Sequence, residues 1–383
     1  MGQLKFNKGE DIGLSLVSEG IIKPEDTEIS FYVGDSPGTK TCKAACEHCF
    51  IPFSPESGKL APDRENLSLD QVIEIEKRQI SDLKSFGYRV VPIIPDTFAH
   101  NGAYLSSGIL KRNTLYNQDG FENRGVAWTS GLPLLKGDSK ELLDLALENE
   151  LSLIAITNNG TFDHEIGLKG IVPPSLVKKV VEMIQLYNKC NNNRFEISLT
   201  FTVGTYNLSY ESIMRYISHA ESLGVDYVRF NRFIDFTKEH RFHDRMFSTE
   251  HSKSFLEIMN RINIEGVGNI DVLISTDFGN ESEEVLGLDT KINRCGGGSH
   301  GFGVLKGLIY PCVEMLQYQI GELVLTSIES LDPIIASRFP NNQREAYNLN
   351  FYDQKIRRLA TIKSDNRHKG CVGHTIQYFN LDL

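Results

Sequence analysis

EISFYVGDSPGTKTCKAACEHCF, residues 28 to 50, decides how the rest of the chain is read. Its first eight residues are apolar and β-prone and predict a first strand. A thiol-rich loop follows at once, with Cys42, Cys46 and Cys49 at Cys-x3-Cys-x2-Cys spacing, so three thiolates converge from one loop. Soft thiolate donors suit iron and sulfide, and three ligands on a four-iron cluster leave one iron open, unlike the closed four-ligand arrangement of structural zinc. The alternatives are a zinc site that borrows a fourth ligand such as His48, or cysteines that neighbour one another by chance.

Working outward, SLDQVIEIEKRQISDLKSF (68 to 86) puts Val72, Ile73, Ile75, Ile80, Leu83 and Phe86 near helical spacing, with Gly87 as the stop. YRVVPIIPD is strand-like. The alternation continues through GVAWTSG, a helix around 139 to 149, LSLIAITNN, a helix around 175 to 189, FEISLTFTVG, a helix around 209 to 223, VDYVRFNRF, a helix near 249 to 263 and NIDVLISTDF. Six or seven β/α units in series predict an α/β fold. Its parallel sheet curls into a full or partial (β/α)6 TIM-like barrel, with chemistry in the loops at the strand C-terminal ends. An N-terminal lead, 1 to 27, precedes the barrel, 28 to 284. Beyond about 285 the rhythm changes: GGGSHGFG is flexible, GVLKGLIYPC reads as a hairpin, and short helices mix with polar turns, a small C-terminal α+β domain over 285 to 383.

With 383 residues, 40% hydrophobic and 23% charged, the chain can bury a large core, which excludes disordered and fibrous classes. Forty lysines and arginines against 50 aspartates and glutamates give a net charge of −10. That balance offers no general pull toward nucleic acid or anionic lipid, and neither is expected as a partner. The N-terminus lacks a signal-peptide pattern and no apolar run reaches the ~18 residues of a membrane span, so a cytoplasmic protein is expected. Seven cysteines, an odd number with three clustered, fit metal or redox chemistry better than a disulfide framework.

The cysteine spacing and its place after the first strand resemble the radical S-adenosylmethionine (radical SAM) superfamily, over roughly residues 28 to 280. His48 stands where that family usually has an aromatic residue. The resemblance implies that the open iron binds the amino and carboxylate groups of S-adenosylmethionine. One electron from the cluster then cleaves it to methionine and a 5′-deoxyadenosyl radical, which takes a hydrogen atom from substrate. The family often carries Gly-Gly-Glu after its second strand to hold the methionine amino group; here Ile94-Pro95-Asp96-Thr97 stands instead. Asp96 is either the acceptor for that ammonium or a turn or helix-cap residue. WTSG, 128 to 131, resembles the third-strand end and offers Thr129 or Ser130 to the methionine moiety. ITNNGTFDHEIGLKG resembles the fourth-strand segment, with Lys169 at the basic position facing the carboxylate. In VRFNRF, Arg229 and Asn231 share one strand face and Arg232 takes the other.

Among the remaining cysteines, Cys295 and Cys312 frame a segment that resembles the SPASM and twitch extensions of this superfamily: a cysteine, a glycine-containing hairpin ending Tyr310-Pro311-Cys312, then Ile320-Gly321-Glu322. A full SPASM domain needs about seven cysteines for two clusters. With Cys295, Cys312 and Cys371 alone, the resemblance implies one auxiliary 4Fe-4S cluster in a twitch-like module. Its fourth ligand is either His374, in GCVGH, or a position left open to substrate or solvent. Cys190 reads as structural.

An auxiliary cluster that accepts an electron turns hydrogen abstraction into net oxidation. A nearby base assists, and Asp277, Glu314 and His300 are the candidates. The resemblance leaves two enzyme readings: oxidative modification of a ribosomally made peptide, and dehydrogenation of a small sugar or cyclitol. Peptide modification is the expectation because the extension is commoner there. Relatives of that kind often fuse a leader-binding module of about 80 residues, for which the lead here is too short. A separate leader-binding partner and direct leader recognition both stay open. The electron donor implied is a flavodoxin or ferredoxin. A non-enzymatic iron-sulfur or zinc protein is the reading from another class.

Overall fold

The computed structural model describes residues 4–6, 28–33, 68–85, 87–111, 125–161, 172–192, 195–235, 242–275, 301–305, 308–310 and 323–324. Eleven strands are present: β1 (Leu4–Phe6), β2 (Glu28–Tyr32), β3 (Arg89–Ile93), β4 (Gly125–Thr129), β5 (Leu151–Thr157), β6 (Glu196–Val203), β7 (Tyr227–Arg232), β8 (Asp271–Ile274), β9 (Gly301–Leu305), β10 (Leu308–Tyr310) and β11 (Leu323–Val324). Five principal helices lie among them: α1 (Leu69–Ser85), α2 (Ser139–Glu148), α3 (Pro174–Asn191), α4 (Tyr210–Ser222) and α5 (Thr249–Glu265).

The alternation expected from sequence is observed, with boundaries shifted by up to four residues. Four of the five helices begin at a side chain that accepts a free amide, and α3 begins at Pro174, which has no amide hydrogen to satisfy. Ser68 and Gln71 form a reciprocal capping box at α1, and Asp138, Ser209 and Ser248 side chains accept amides at α2, α4 and α5. Gly87, at φ 93°, stops the chain after α1 in the left-handed region that a Cβ disfavours.

Two sheets form. One runs β1-β8-β7-β6-β5-β4, all parallel; the other runs β11-β10-β9-β2-β3. They meet at the ends of β3 and β4, where the Thr97 amide donates to Trp128 O at 2.7 Å and the Trp128 amide to Thr97 Oγ1 at 3.0 Å. Strands β4 to β8 lie side by side in chain order, as successive right-handed crossovers dictate. The expected hairpin is β9–β10, with Leu305 opposite Leu308. Two features go beyond the sequence reading. β1, inside the N-terminal lead, pairs in parallel with β8, and β9, beyond residue 285, pairs in parallel with β2.

One face of the β4–β8 sheet carries Ile154, Ile156, Ile197, Leu199, Phe201, Val228, Phe230 and Val272, packed with Val177 and Val180 of α3, Ile213 and Tyr216 of α4 and Phe255 of α5. Phe201 stacks on Tyr216 with centroids 3.8 Å apart and meets Phe230 edge-on at 5.8 Å, while Phe230 reaches Phe255 at 5.9 Å. Each fully buried aromatic contributes roughly 1.5–3 kcal/mol, so this row fixes two helices onto β6 and β7. No helix among the described residues is long and apolar enough to cross a membrane.

Candidate active site

Because side chains alternate along a strand, the residues between those core positions project from the sheet's other face. There the apolar cluster is small: Val126, Leu153, Ala155, Tyr227 and Leu273, with Trp128 against it. Toward the C-terminal ends this face turns polar, with Ser198, Thr200 and Thr202 on β6 and Arg229 and Asn231 on β7. The register sets Thr200 beside Arg229 and Thr202 beside Asn231. The Arg229 guanidinium lies over the Trp128 ring, 5.1 Å from its centroid. Arg232 takes the opposite face, as expected. It is buried, donates to Phe247 O at 3.0 Å and lies 5.9 Å from that ring's centroid.

Several polar atoms of this region are buried without a hydrogen-bond partner among the described residues: Ser198 Oγ, Thr200 Oγ1, both Asn158 side-chain amide atoms, Asn159 Oδ1 and Asn231 Oδ1. Asn158 stands just past β5, with its backbone fixed on both sides. Its amide donates to Thr200 O at 2.9 Å, and its carbonyl accepts from Tyr216 Oη at 2.9 Å. A side chain held this firmly, 1% exposed and unpartnered, carries a desolvation cost of roughly 1–3 kcal/mol that a polar ligand would remove. An asparagine amide offers both a donor and an acceptor. That set suits the hydroxyls and base edges of a nucleoside.

Asp96 sits at the end of β3, fully buried. Thr129 Oγ1 donates to Oδ1 at 2.8 Å, and the Phe98 amide lies 3.4 Å from the same oxygen. The Ser130 amide and hydroxyl donate to Oδ2 at 3.0 and 2.6 Å. Burial pushes the carboxyl above its ordinary 3.8, while these bonds from Ser130, Thr129 and Phe98 pull the other way. Thr129 and Ser130 are spent in turn, their hydroxyls also accepting the Gly131 and Leu132 amides at 2.9 and 3.4 Å. These bonds make the Asp96 carboxylate a tie between the end of β3 and the end of β4.

The structure therefore brings Asp96, Thr129 and Ser130 together and sets Arg229 on the polar face with Trp128. His48, Lys169, Asp277, His300 and Glu314 lie outside the described residues, as do Cys42, Cys46, Cys49, Cys295, Cys312, Cys371 and His374. Cys190, the one described cysteine, is free and exposed on α3. Sequence reasoning placed ITNN at a strand end but passed over Asn158, Asn159 and Thr200. The signal available was two consecutive asparagines, poor strand formers, directly after LSLIAIT.

Parallel strands with helices over one face and polar groups at the strand C-terminal ends of the other make an α/β fold that solved structures share. SuiB of Streptococcus suis bound to its precursor peptide SuiA superposes with a TM-score of 0.51 at 12% identity, over 79% of this chain and 63% of that one. SuiB bound to S-adenosylmethionine gives 0.50 at 12% identity, over 79% and 62%. Native anSMEcpe with bound AdoMet gives 0.47 at 13% identity, over 92% and 95%. This chain thus spans less than two thirds of the SuiB length, and the likeness is one of fold: an α/β, parallel-stranded architecture resembling radical SAM enzymes. No known sequence family matches the chain, and no curated protein matches it by sequence.

Proposed function

We propose that this chain is a radical SAM enzyme that oxidatively modifies a ribosomally made peptide. The observation that carries the proposal is a shared end. β2 finishes at Tyr32 and Cys42 follows ten residues later in the chain, while the unpartnered polar atoms of Asn158 and Asn159 follow the C-terminal end of the parallel strand β5. On this reading Cys42, Cys46 and Cys49 follow in sequence the C-terminal end of a parallel strand, the end at which α/β folds bind ligands.

In this reading residues 28–284 make a partial barrel and 285–383 an auxiliary-cluster domain. Cys42, Cys46 and Cys49 hold the first 4Fe-4S cluster; Cys295, Cys312 and Cys371, with His374 or an open position, hold the second. When bound, the first cluster supplies the electron that splits S-adenosylmethionine into methionine and the radical that removes a substrate hydrogen atom. Asn158, Asn159 and Thr200 would hydrogen-bond the nucleoside, Lys169 would meet the methionine carboxylate, and His48 directly precedes the third cysteine in sequence. Asp96, Thr129 and Ser130 act as positioning residues that fix the ends of β3 and β4. Arg229, screened on one side by Trp128, contributes positive charge to the polar face. Asp277, Glu314 or His300 receives the substrate proton. Support for a peptide comes from the fold shared with SuiB, which is known in complex with its precursor peptide. A flavodoxin or ferredoxin supplies electrons.

The test is anaerobic reconstitution followed by reduction. About eight irons per chain are expected for two four-iron clusters, and about four if the auxiliary one is absent. Reduced protein should release 5′-deoxyadenosine, and Cys46→Ala should abolish the release. Zinc in place of iron, or no release from iron-loaded protein, rejects the enzyme. A precursor peptide encoded beside the gene should change in mass or stereochemistry; an unchanged peptide together with turnover of a sugar or cyclitol rejects the peptide substrate.

A further inference from the structure

The loops that follow β6 and β7 meet at the C-terminal edge of the sheet, beyond the polar face. Gly204, directly after β6, lies so close to the second loop that a Cβ there would stand 2.7 Å from Arg245 O. Thr205 Oγ1 donates to Asp244 O at 2.8 Å, so the two loops are bonded as well as packed. Held at this junction, the Arg245 guanidinium lies between two rings, 5.4 Å from the Tyr206 centroid and 5.3 Å from that of Phe242. Phe242 is itself fixed, its amide donating to buried Asp235 at 2.8 Å and its ring meeting Phe233 edge-on at 6.5 Å. The Tyr206 ring meets Phe233 at 6.2 Å and its hydroxyl points to Thr202 O at 3.5 Å. The Arg245 amide donates to Phe242 O at 2.9 Å, while its guanidinium has ring faces for neighbours and, among the described residues, no hydrogen bond or ion pair; the adjacent Asp244 is exposed and unpaired with it.

A half-buried cation between aromatic faces keeps the in-plane N–H edge of its fork for a planar anion, with its side-chain freedom already spent. We propose that Arg245, with Tyr206 and Phe242, forms a carboxylate-binding subsite at the rim of the strand ends. Its ligand is an acidic group of the substrate. Arginine pairs with a carboxylate through two parallel hydrogen bonds, and the stacked rings favour an extended chain that passes over the half-exposed Tyr206. The peptide part of this inference rests on the function proposed above; the carboxylate part does not.

Calorimetric titration of the full-length, cluster-loaded protein at low salt tests it with three probes: Ac-Glu-Glu-NH2, Ac-Gln-Gln-NH2 and glutarate. The acidic dipeptide should bind, the glutamine dipeptide should not, and Arg245→Gln should weaken the acidic dipeptide at least about tenfold. Arg245→Lys should fall between, since it keeps a charge and loses the fork. If Arg245→Gln does not fold, Phe242→Leu, which removes one ring and no charge, should weaken binding severalfold. Glutarate binding as tightly as the dipeptide assigns the subsite to a small acid; tighter dipeptide binding assigns it to a peptide. No binding of either acid to wild type, or equal binding by wild type and Arg245→Gln, overturns the subsite. No turnover is needed for these readings. Wild type that binds the acidic dipeptide yet releases no 5′-deoxyadenosine keeps the subsite and rejects the enzyme.

Discussion

The four donors around Asp96 have a consequence that depends on pH. Its folded-state pKa lies above the ordinary 3.8, with burial the largest cause, so the folded protein binds this proton more readily than the unfolded chain. Stability from this group is then greatest below about pH 4 and declines as pH rises through the raised value, the reverse of a salt-bridged carboxylate. Asp96→Asn removes that dependence. Chemical denaturation from about pH 4 to 7 should show the wild type losing stability relative to the variant as pH increases, and a relative gain would contradict the burial argument. Tyr216 acts at the same scale. Tyr216→Phe leaves the Asn158 carbonyl without its donor and should lower stability by about 1 kcal/mol, read from the denaturation midpoint. Neither bond was legible in the sequence. Ser130 lies 34 positions from Asp96 and Tyr216 58 from Asn158, so only the folded chain shows that the aspartate braces two strands.

Among elements, those with a strong local signal were legible in the sequence. α1 shows its buried stripe, its serine cap and its glycine stop; β2 to β8 show apolar runs of four to eight residues bounded by polar turns. β1 was not visible, because three residues, Leu4–Phe6, carry no period and depend on β8 for their pairing. Which face of β6 looks toward ligand was hidden too. EISLTFTV alternates in either direction, and only α3 and α4 decide that Ile197, Leu199 and Phe201 are the covered set. Gly131 shows how tightly one junction is fitted. At φ 80°, it carries the chain from β4 into the short helical turn at Leu132–Lys136, and a Cβ there would meet Val180 of α3 at 2.7 Å. Gly131→Ala should cost about 2 kcal/mol or more, from the left-handed backbone and the collision together, measured as a drop in melting temperature with the secondary structure unchanged.

At the scale of the molecule, the connection between N- and C-terminal segments was not legible in the sequence. β9 follows β2 by more than 260 residues yet lies directly against it, Ile29 opposite Phe302. Contacts so distant in sequence leave no periodic trace. Both long edges of β2 are therefore taken, one by β3 and the other by β9, and the strand that feeds the thiolate loop is clamped like the middle slat of a blind. A fragment that stopped short of residue 301 would bare one side of that slat, a row of unspent amides and carbonyls on which any passing extended polypeptide can zip. The hairpin at β9–β10 is thus also a seal, keeping foreign chains away from β2.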